Sequence, residues 1–328
     1  MDKDVERKII NILKILSKET NPLGASIISR HLKDFGIDLS ERAVRYHLKL
    51  MDEKGLTKGI GKEGRLITEK GIEELNNALV SDKIGLVSTK IDTLSYLTSL
   101  DFKNKKGKVV MNVSILDKSD YKKALRVMKD IFKTKLCTSD FVIVAYKNEK
   151  LGEIEIPSGK VGFGTICSIT LNGVLIKAGI PVDSKFGAIV QMKDFCPYRF
   201  TELITYEGSS LDPLEIFIKS RMTSVRETAL TGSGKILAGF REVSAIALTG
   251  VNKVVEELKK IGIYGVLAVG RPSQPVLEMP VGNNKVGIVV AGGLNPIAAL
   301  EEVGIETGSR AMSTMVDFSE LRSFWDLF

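Results

Sequence analysis

Histidine, cysteine and tryptophan are scarce in this chain, whose 328 residues include 2 His, 3 Cys and 1 Trp. Both histidines, His31 and His47, lie in the first fifty residues, and we interpret them as half-buried packing residues. The rest of the chain therefore has no histidine for catalysis or metal binding. The cysteines fit neither a metal-ligand spacing nor a disulfide framework, which is typical of a reducing cytoplasm. We expect a cytoplasmic protein without a bound metal.

Long apolar runs are also absent. The most apolar stretch, residues 286–294, is short and interrupted by glycine, whereas a membrane span needs about 18–20 apolar residues. The charged start of the chain leads straight into helical periodicity and does not resemble a secretory signal. We therefore expect no membrane partner. The length and the 44% hydrophobic content predict a globular protein of two or three domains, and the net charge of +7 weakly suggests a polyanionic partner.

The N-terminal part of the chain contains helix and turn signals in a recognisable order. Apolar residues recur at helical spacing over residues 4–16, a second short helix follows, and Ser40 caps a third helix over 41–54. Residues 56–68 carry glycines between two short strands, and a last helix covers 70–79. Three helices, a β-hairpin and a helix in this order predict a winged helix-turn-helix domain.

The third helix and the hairpin carry residues suited to DNA. Arginines near a helix N-terminus can reach guanine edges in a major groove, and hairpin cations can contact flanking phosphates. Residues 40–65 contain 7 basic and 4 acidic residues, against 15 and 13 over residues 1–80, so positive charge is concentrated here. A basic helix face alone is usually just solvated, but its combination with a wing favours DNA binding. The predicted DNA-binding residues are Arg42, Arg45, Tyr46, Lys49, Lys58, Lys62 and Arg65.

The remainder of the chain alternates strand and helix patterns and repeats itself. Lys160–Gly162 matches Lys285–Gly287 at an offset of 125 residues, and Leu171-Asn172 matches Leu294-Asn295 after a small shift. A strand over residues 243–248 opens the second copy, after a linking stretch that ends at residue 239. Two copies of this length indicate one domain with pseudo-two-fold symmetry and a cleft between its halves, where small ligands commonly bind.

These patterns predict an α+β multidomain chain, in which an N-terminal winged helix-turn-helix is followed by an α/β effector domain made of two internally duplicated halves. The winged helix-turn-helix domain covers residues 1–80, a connector covers 81–108, and the effector domain covers 109–328. Its repeats lie at about 109–205 and 240–328.

Catalytic motifs are absent from the second region of the sequence. Residues 231–236 resemble a phosphate-binding loop, but Ala229 stands where its first glycine belongs and Ile236 where its Ser or Thr belongs. A Gly-x-Ser-x-Gly elbow and a histidine for a triad are missing as well. We therefore expect a protein that is not an enzyme.

Two matching segments are suited to binding an anion. Residues 167–173 and 291–296 each place a short helix N-terminus, with free N–H groups, after a buried strand, and Asn295 is the expected cap of the second helix. Serines and cations nearby could complete the site. The alternative is that both segments are tight turns with ordinary caps. The candidate effector-binding residues are Cys167, Ser168, Thr170, Asn172, Ser184, Lys185, Arg271, Gly292, Gly293, Asn295, Ser309 and Arg310.

The combination of these motifs resembles the archaeal nitrogen-responsive transcriptional repressor family, NrpR, in a form with a single effector domain. The similarity spans nearly the whole chain. It is carried by Ser40–Leu48 and Gly64–Thr68 in the first domain and by Gly162–Ser168 and Ala291–Pro296 in the second. Many members carry two effector domains in tandem, and this sequence has room for one.

The resemblance implies a homodimer, or a higher assembly, that binds a palindromic operator in double-stranded DNA and represses nitrogen-assimilation genes. It also implies release from the operator by 2-oxoglutarate as allosteric effector, with no further cofactor. Two alternatives remain open. The chain could be a winged-helix regulator that senses another small anionic metabolite such as an amino acid, or a winged helix fused to a metabolic enzyme.

Overall fold

The computed structural model describes residues 3–34, 36–77 and 86–328. The chain divides into two compact units, Met1–Ile84 and Gly85–Phe328. Among the described residues, no helix is long and apolar enough to cross a membrane.

Among its described residues, the first unit contains four helices and a two-stranded antiparallel hairpin around an apolar core. Ile12, Leu13, Ile28, Leu32 and Leu48 are all fully buried in that core. The element order confirms the predicted winged-helix fold. In chain order the elements are α1 (Lys3–Leu16), α2 (Ala25–Asp34), α3 (Glu41–Glu53), β1 (Thr57–Ile60), β2 (Gly64–Ile67) and α4 (Glu69–Asn77).

The second unit contains seven helices and twelve strands among its described residues. Its first helix, α5 (Leu86–Leu97), is followed by β3 (Lys108–Asp117), α6 (Tyr121–Lys133), β4 (Phe141–Ala145), β5 (Lys150–Leu151), β6 (Ile154–Glu155), β7 (Lys160–Ile166), α7 (Ile169–Lys177), β8 (Val182–Lys193), β9 (Cys196–Thr205), α8 (Pro213–Lys219) and α9 (Val225–Thr231). The second half continues with β10 (Gly234–Ser244), α10 (Leu248–Lys260), β11 (Val266–Val269), β12 (Lys285–Ala291), α11 (Asn295–Glu302), β13 (Gly308–Asp317) and β14 (Arg322–Ser323).

The two halves of this unit repeat the same order of elements and exchange a strand. One five-stranded sheet has the order β13-β3-β7-β4-β14 and the other has the order β11-β12-β10-β8-β9. The strand after α7 in the first half and the strand after α11 in the second therefore each pair with the first strand of the other half, β8 with β10 and β13 with β3. All these pairings are antiparallel. The exchange confirms the duplicated α/β architecture and joins both halves into one body.

The first strand of each half is buried on both faces. Along β3, Val110 and Leu116 contribute to one apolar cluster, whereas Val109, Met111 and Val113 contribute to another. Successive side chains of a strand point to opposite faces of the sheet. Each sheet thus lies between two apolar layers. This packing holds in place the strand ends that carry the candidate effector residues.

The second half begins earlier than the sequence pattern indicated. The strand predicted over 243–248 is wrong in position, because β10 ends at Ser244 and residues 245–247 form a single 3-10 turn before α10. The linking stretch predicted to reach residue 239 contains most of the apolar part of β10. The sequence here resembles a loop, because it contains glycines at 232, 234 and 239, followed by Arg241. In the structure, however, β10 is the central strand of its sheet.

The predicted connector, residues 81–108, begins outside the described residues. Its described part includes α5, whose Val87 and Ile91 are buried in the core of the second unit. The Nζ of Lys90 also donates a hydrogen bond to the carbonyl oxygen of Ala311, at 3.2 Å. Helix α5 is therefore packed as part of the second unit.

Candidate DNA interface and effector cavity

Helix α3 presents one apolar and one polar face, as its residue spacing predicts. Ser40 caps it, and the Ser40 side-chain oxygen accepts a hydrogen bond from the Ala43 N–H at 3.3 Å. The inward face is buried and consists of Val44, His47, Leu48 and Met51. The predicted DNA-binding residues of this helix are all exposed on the other face, namely Arg42, Arg45, Tyr46 and Lys49. Their contact with DNA stays a prediction.

Two of these exposed side chains already have partners within the helix. Arg45 forms an ion pair with Glu41, one turn earlier. Exposed ion pairs of this kind contribute little free energy, so Arg45 can exchange Glu41 for a base edge at low cost. The ring of Tyr46 is 62% exposed and lies edge-on against His47. This contact orients the ring, and most of the residue stays exposed.

The hairpin cations differ in their surroundings. Lys58 and Lys62 are exposed, as a phosphate contact requires. Arg65 is half-buried, and its Nε donates to Asp52 Oδ2 at 3.1 Å. Asp52 Oδ1 in turn accepts a hydrogen bond from the Thr57 hydroxyl at 2.6 Å. Arg65 therefore fastens the hairpin to α3, and a contact with DNA competes with that role.

A small cavity lies where the two halves of the second unit meet. It is bounded by the N-terminal end of α7, by a bulge in β13 and by residues 206–214. It brings together three predicted residues, Cys167, Ser168 and Gly293, with Tyr206 and Asp212, which the sequence did not single out. In this form the cavity has space for about one water molecule. A larger ligand requires the surrounding elements to separate.

Arg241 is the charged group closest to the buried end of α7, and sequence reasoning missed it. It is 1% exposed, and its Nη1 donates to the Ser168 carbonyl oxygen at 3.0 Å and to Asn172 Oδ1 at 2.6 Å. Its Nη2 donates to the Ser168 hydroxyl at 3.2 Å, while its Nε lacks a partner. None of the described carboxylates forms an ion pair with it. Burial lowers the pKa of Arg241, so the site holds a desolvated cation next to a helix N-terminus.

The pairing of strands shows that Arg241 breaks the symmetry between the halves. Arg241 lies opposite Ser184 in one sheet, and Ser114 lies opposite Ser309 at the matching place in the other. Ser309 bonds to the hydroxyls of Ser114 and Thr307. The first half therefore has a neutral hydroxyl pair where the second has a guanidinium. An arginine within an apolar strand was the signal that could have identified this position.

Thr170 and Asn295 have a structural role in the described unit. The Thr170 hydroxyl bonds to both the N–H and the carbonyl of Val110. The Asn295 amide does the same to Leu237 and also donates to the Leu136 carbonyl. Each side chain clamps the start of the first strand of its own half. The match of Leu171-Asn172 with Leu294-Asn295 is therefore wrong by two residues, because Thr170 is the counterpart of Asn295.

The helix cap predicted at Asn295 is also different. Leu294 occupies the cap position of α11, and Asn295 is the first helical residue, with its side chain fully used by Leu136 and Leu237. Gly292 donates its N–H to the Leu237 carbonyl at 2.8 Å. A Cβ on Gly293 would lie 2.2 Å from the Ile166 carbonyl oxygen. Glycine at 293 is therefore required for close packing.

The remaining predicted effector residues are not among those that line the cavity. Lys185 forms ion pairs with Asp183 at 2.5 Å and with Glu242 at 3.7 Å, and the Asp183 hydrogen bond raises the pKa of Lys185. Ser184 accepts from the Asn172 amide at 2.8 Å. Arg271 and Arg310 are exposed. A role of Arg271, Ser309 and Arg310 in effector binding stays a prediction.

Asp212 is a titratable group of the cavity wall. Its side chain caps α8 by accepting from the N–H groups of Leu214 and Glu215. Burial, together with the negative charge of Glu215, raises the pKa of Asp212 to about 6, although its hydrogen bonds and Lys90 act in the opposite direction. Burial also raises the pKa of the Cys167 thiol to about 11, so this cysteine is neutral at pH 7.

Replacing Asp212 by asparagine should change how stability depends on pH. Between about pH 4 and 6 the folded state keeps a proton on Asp212 that the unfolded state releases, so the free energy of unfolding falls as pH rises through this window. Asparagine caps a helix as well as aspartate does and carries no charge. At pH 7.5 we expect Asp212→Asn to be more stable by about 1–2 kcal/mol, a difference that disappears near pH 4. Denaturant titrations across this range, with the exposed Asp326→Asn as control, test this; equal pH profiles would contradict it.

Metal binding has no support in the described ranges, where no group of three or more His, Cys, Asp or Glu side chains is placed to hold a metal ion. The candidate site combines the buried Arg241 guanidinium and the Ser168 hydroxyl with the Asp212 carboxyl group. The first N–H groups of α7, expected from sequence to be free, are already bonded, because Thr170 donates to the Cys167 carbonyl and Leu171 to the Ser168 carbonyl. The guanidinium is therefore the group that favours a carboxylate or phosphate over a cation.

Comparison with known proteins gives the same picture for both units. A family model described as NrpR regulatory domains NRD1 and 2 matches residues 84–323. A model described as the Ribonuclease R winged-helix domain matches residues 10–75, in agreement with the fold of the first unit. The chain also resembles a solved structure, a nitrogen repressor-like protein from Methanococcus jannaschii. Its TM-score is 0.62 at 29% identity, over 73% of this chain and 98% of that chain.

Relatives with assigned names cover nearly all of this chain. It is 38% identical to global nitrogen regulator NrpRI of Methanosarcina mazei, over 98% of this chain and 99% of that protein. It is 36% identical to global nitrogen regulator NrpR of Methanococcus maripaludis, and there it spans 55% of the relative's length. These names confirm the prediction of a regulator and not an enzyme. The chain belongs to the NrpR family of nitrogen regulators.

Proposed function

We propose that this chain is a transcriptional repressor of nitrogen-assimilation genes that binds a palindromic operator as a homodimer and is released by 2-oxoglutarate. The observation that carries the proposal is the similarity to global nitrogen regulator NrpRI over 98% of this chain and 99% of that protein. Helix α3 has an exposed cationic face, and its other face is buried in the apolar core. Both observations support the proposal that the chain binds DNA.

The operator is proposed to be read by α3 in the major groove. Two copies related by a two-fold axis present two such helices, so the operator is palindromic and its half-sites lie one or more helical turns apart. Arg42 and Arg45 lie in the first half of the helix and contact bases, while Lys58 and Lys62 contact phosphates. The exposed positions of all four support this division of roles.

The effector is proposed to enter the cavity at the N-terminal end of α7. 2-Oxoglutarate carries two carboxylates, and Arg241 supplies a desolvated positive charge behind Ser168 and Cys167. The unpaired Nε of Arg241 is a further donor that a rearranged site could use. 2-Oxoglutarate has a ketone at the carbon where glutamate carries an ammonium group. Bound 2-oxoglutarate therefore places no second cation beside this guanidinium.

Opening of the cavity is proposed to move the bulge of β13 and, with it, helix α5. In the bulge, Met312 has a positive φ of 51° and donates its N–H to the buried Asn112 side chain. The neighbouring Ala311 accepts from Lys90 of α5 and donates to Glu215 of α8. A differential affinity of about 1.4 kcal/mol between two arrangements suffices for a tenfold change in operator binding.

The test is a pair of titrations on the full chain. Operator DNA is titrated with protein in fluorescence anisotropy, with and without 2-oxoglutarate, and calorimetry compares 2-oxoglutarate, glutamate and glutamine. We expect at least about tenfold weaker operator binding with 2-oxoglutarate, and heat only from that ligand. An unchanged operator affinity would refute release by 2-oxoglutarate. Binding of glutamate or glutamine instead would identify an amino-acid sensor.

A further inference from the structure

The positive charge of this chain is concentrated at one place outside the winged helix. Residues 101–150 contain 13 basic and 6 acidic residues, a net charge of +7 that equals the net charge of the whole chain. Five of these cations lie on α6, which has one acidic residue. The excess is therefore local to the first half of the second unit.

The cations of α6 form a straight row on its exposed side. Lys122, Arg126, Lys129 and Lys133 follow each other at steps of four, three and four residues, the spacing of one helix face. All four are exposed. At a rise of about 1.5 Å per residue the row extends over about 16 Å. We call these four residues the α6 cation row.

None of the described carboxylates forms an ion pair with a cation of this row. Lys129 alone has a partner of another kind, the ring of Phe328, with 5.3 Å between Nζ and the ring centroid. The matching helix of the second half, α10, is different. Its Lys259 and Lys260 are paired with Glu256 and Glu257. A row of uncompensated cations is thus a feature of α6 and not of the repeated fold.

We propose that the α6 cation row is a second DNA-contacting surface, which binds the phosphate backbone without reading sequence. Aligned, exposed cations that form no ion pair with a described carboxylate are complementary to a backbone that carries a negative charge at regular intervals. Under the proposed function, the winged helix of the same chain binds DNA. DNA bound in this way is present at a high effective concentration for the α6 cation row. The surface goes beyond that function because it requires neither operator sequence nor effector.

An anionic membrane fits the row less well than DNA. Helices that lie on membranes insert an apolar face between the lipids. The apolar face of α6 is unavailable, because Leu125, Met128, Ile131 and Phe132 are buried in the core. What α6 exposes is its charge.

The test compares two triple variants of the full chain. Lys122→Gln, Arg126→Gln and Lys133→Gln remove three cations of the row, and Lys253→Gln, Lys259→Gln and Lys260→Gln remove three exposed cations of α10. Both triples change the net charge equally and leave the winged helix intact. Each protein is titrated against a random-sequence duplex of about 30 base pairs, between about 50 and 200 mM salt.

The α6 triple should bind this duplex about tenfold more weakly at the lower salt concentration. Its slope of log affinity against log salt should be smaller by about 2–3, because each lost phosphate contact removes about 0.9 from the slope. The α10 triple should behave like the native chain. Equal slopes for all three proteins would overturn the proposal, as would equal losses in both triples.

Two further measurements keep the outcome interpretable. Thermal unfolding of both triples should match the native chain, because the substituted side chains are exposed. Vesicles of phosphatidylcholine with about 30% phosphatidylserine serve as the competing polyanion. If the α6 triple lost vesicle binding but kept the native salt slope on DNA, the row would be a lipid surface and the proposal would be wrong.

Discussion

Arg45→Ala is expected to weaken operator binding about 5- to 150-fold, the cost of one lost bidentate base contact of about 1–3 kcal/mol. Arg45 lies on the exposed face of α3, and its present partner is an exposed carboxylate one turn away. Removing that ion pair should leave the stability of the winged helix nearly unchanged. The loss is therefore expected in DNA affinity alone, and mainly for the operator.

Anisotropy titrations with operator and with random-sequence DNA check this prediction. Lys62→Ala, on the hairpin, should weaken both duplexes alike and reduce the salt slope by about one unit. Arg7→Ala, an exposed cation of α1, should change neither. If Arg45→Ala lowered the affinity for both duplexes by the same factor, its assignment to a base contact would be wrong.

Arg241→Met is expected to abolish the response to 2-oxoglutarate. The substitution keeps an apolar stem of similar length and removes the desolvated charge behind Ser168. It also leaves Asn172 Oδ1 and the Ser168 carbonyl without their donor, so we expect a free energy of unfolding lower by about 2–3 kcal/mol. Calorimetry with 2-oxoglutarate should show no heat, and operator binding should no longer change with the ligand.

Two companion variants separate ligand binding from folding. Arg241→Lys keeps the charge but offers one nitrogen in place of the guanidinium fork. The second contact, from Nη2 to the Ser168 hydroxyl, is therefore lost, and we expect weakened and not absent effector binding. Arg310→Ala removes an exposed cation of β13 and tests the residue that the sequence motif favoured. If Arg310→Ala lost the response and Arg241→Met kept it, the ligand would bind outside the cavity described above.

The winged helix could be predicted from sequence because its signals are local. Ser40 at the start of α3 and Gly55 after its end, with a φ of 71°, mark a helix whose apolar spacing runs unbroken between them. Which side of α3 is buried follows from the same spacing. The ion pair of Arg65 with Asp52 could not be predicted, because it depends on how the hairpin folds back against the helix.

Only some of the residues at the cavity could be predicted from the sequence. Its glycine and helix-start motifs identified Cys167, Ser168 and Gly293, because such motifs are local. Arg241 was missed because its hydrogen bonds join residues far apart in the sequence. The cap that Asp212 forms on α8 is local, but its burial in the cavity depends on distant elements. Strand β10 was misplaced for the same reason: the burial of Arg241 depends on acceptors 69 and 73 residues earlier in the chain.

The exchange of strands between the halves has a consequence for synthesis. Strand β3 leaves the ribosome about 200 residues before its partner β13, with which it pairs as Lys108 to Asp317. At about 5–20 residues per second, β3 waits about 10–40 s for this partner. The core and hairpin of the winged helix are formed by residues of the first unit alone, so it can fold long before that. During translation each chain thus passes through a period in which the winged helix is folded and the second unit, with its candidate effector site, is unfinished.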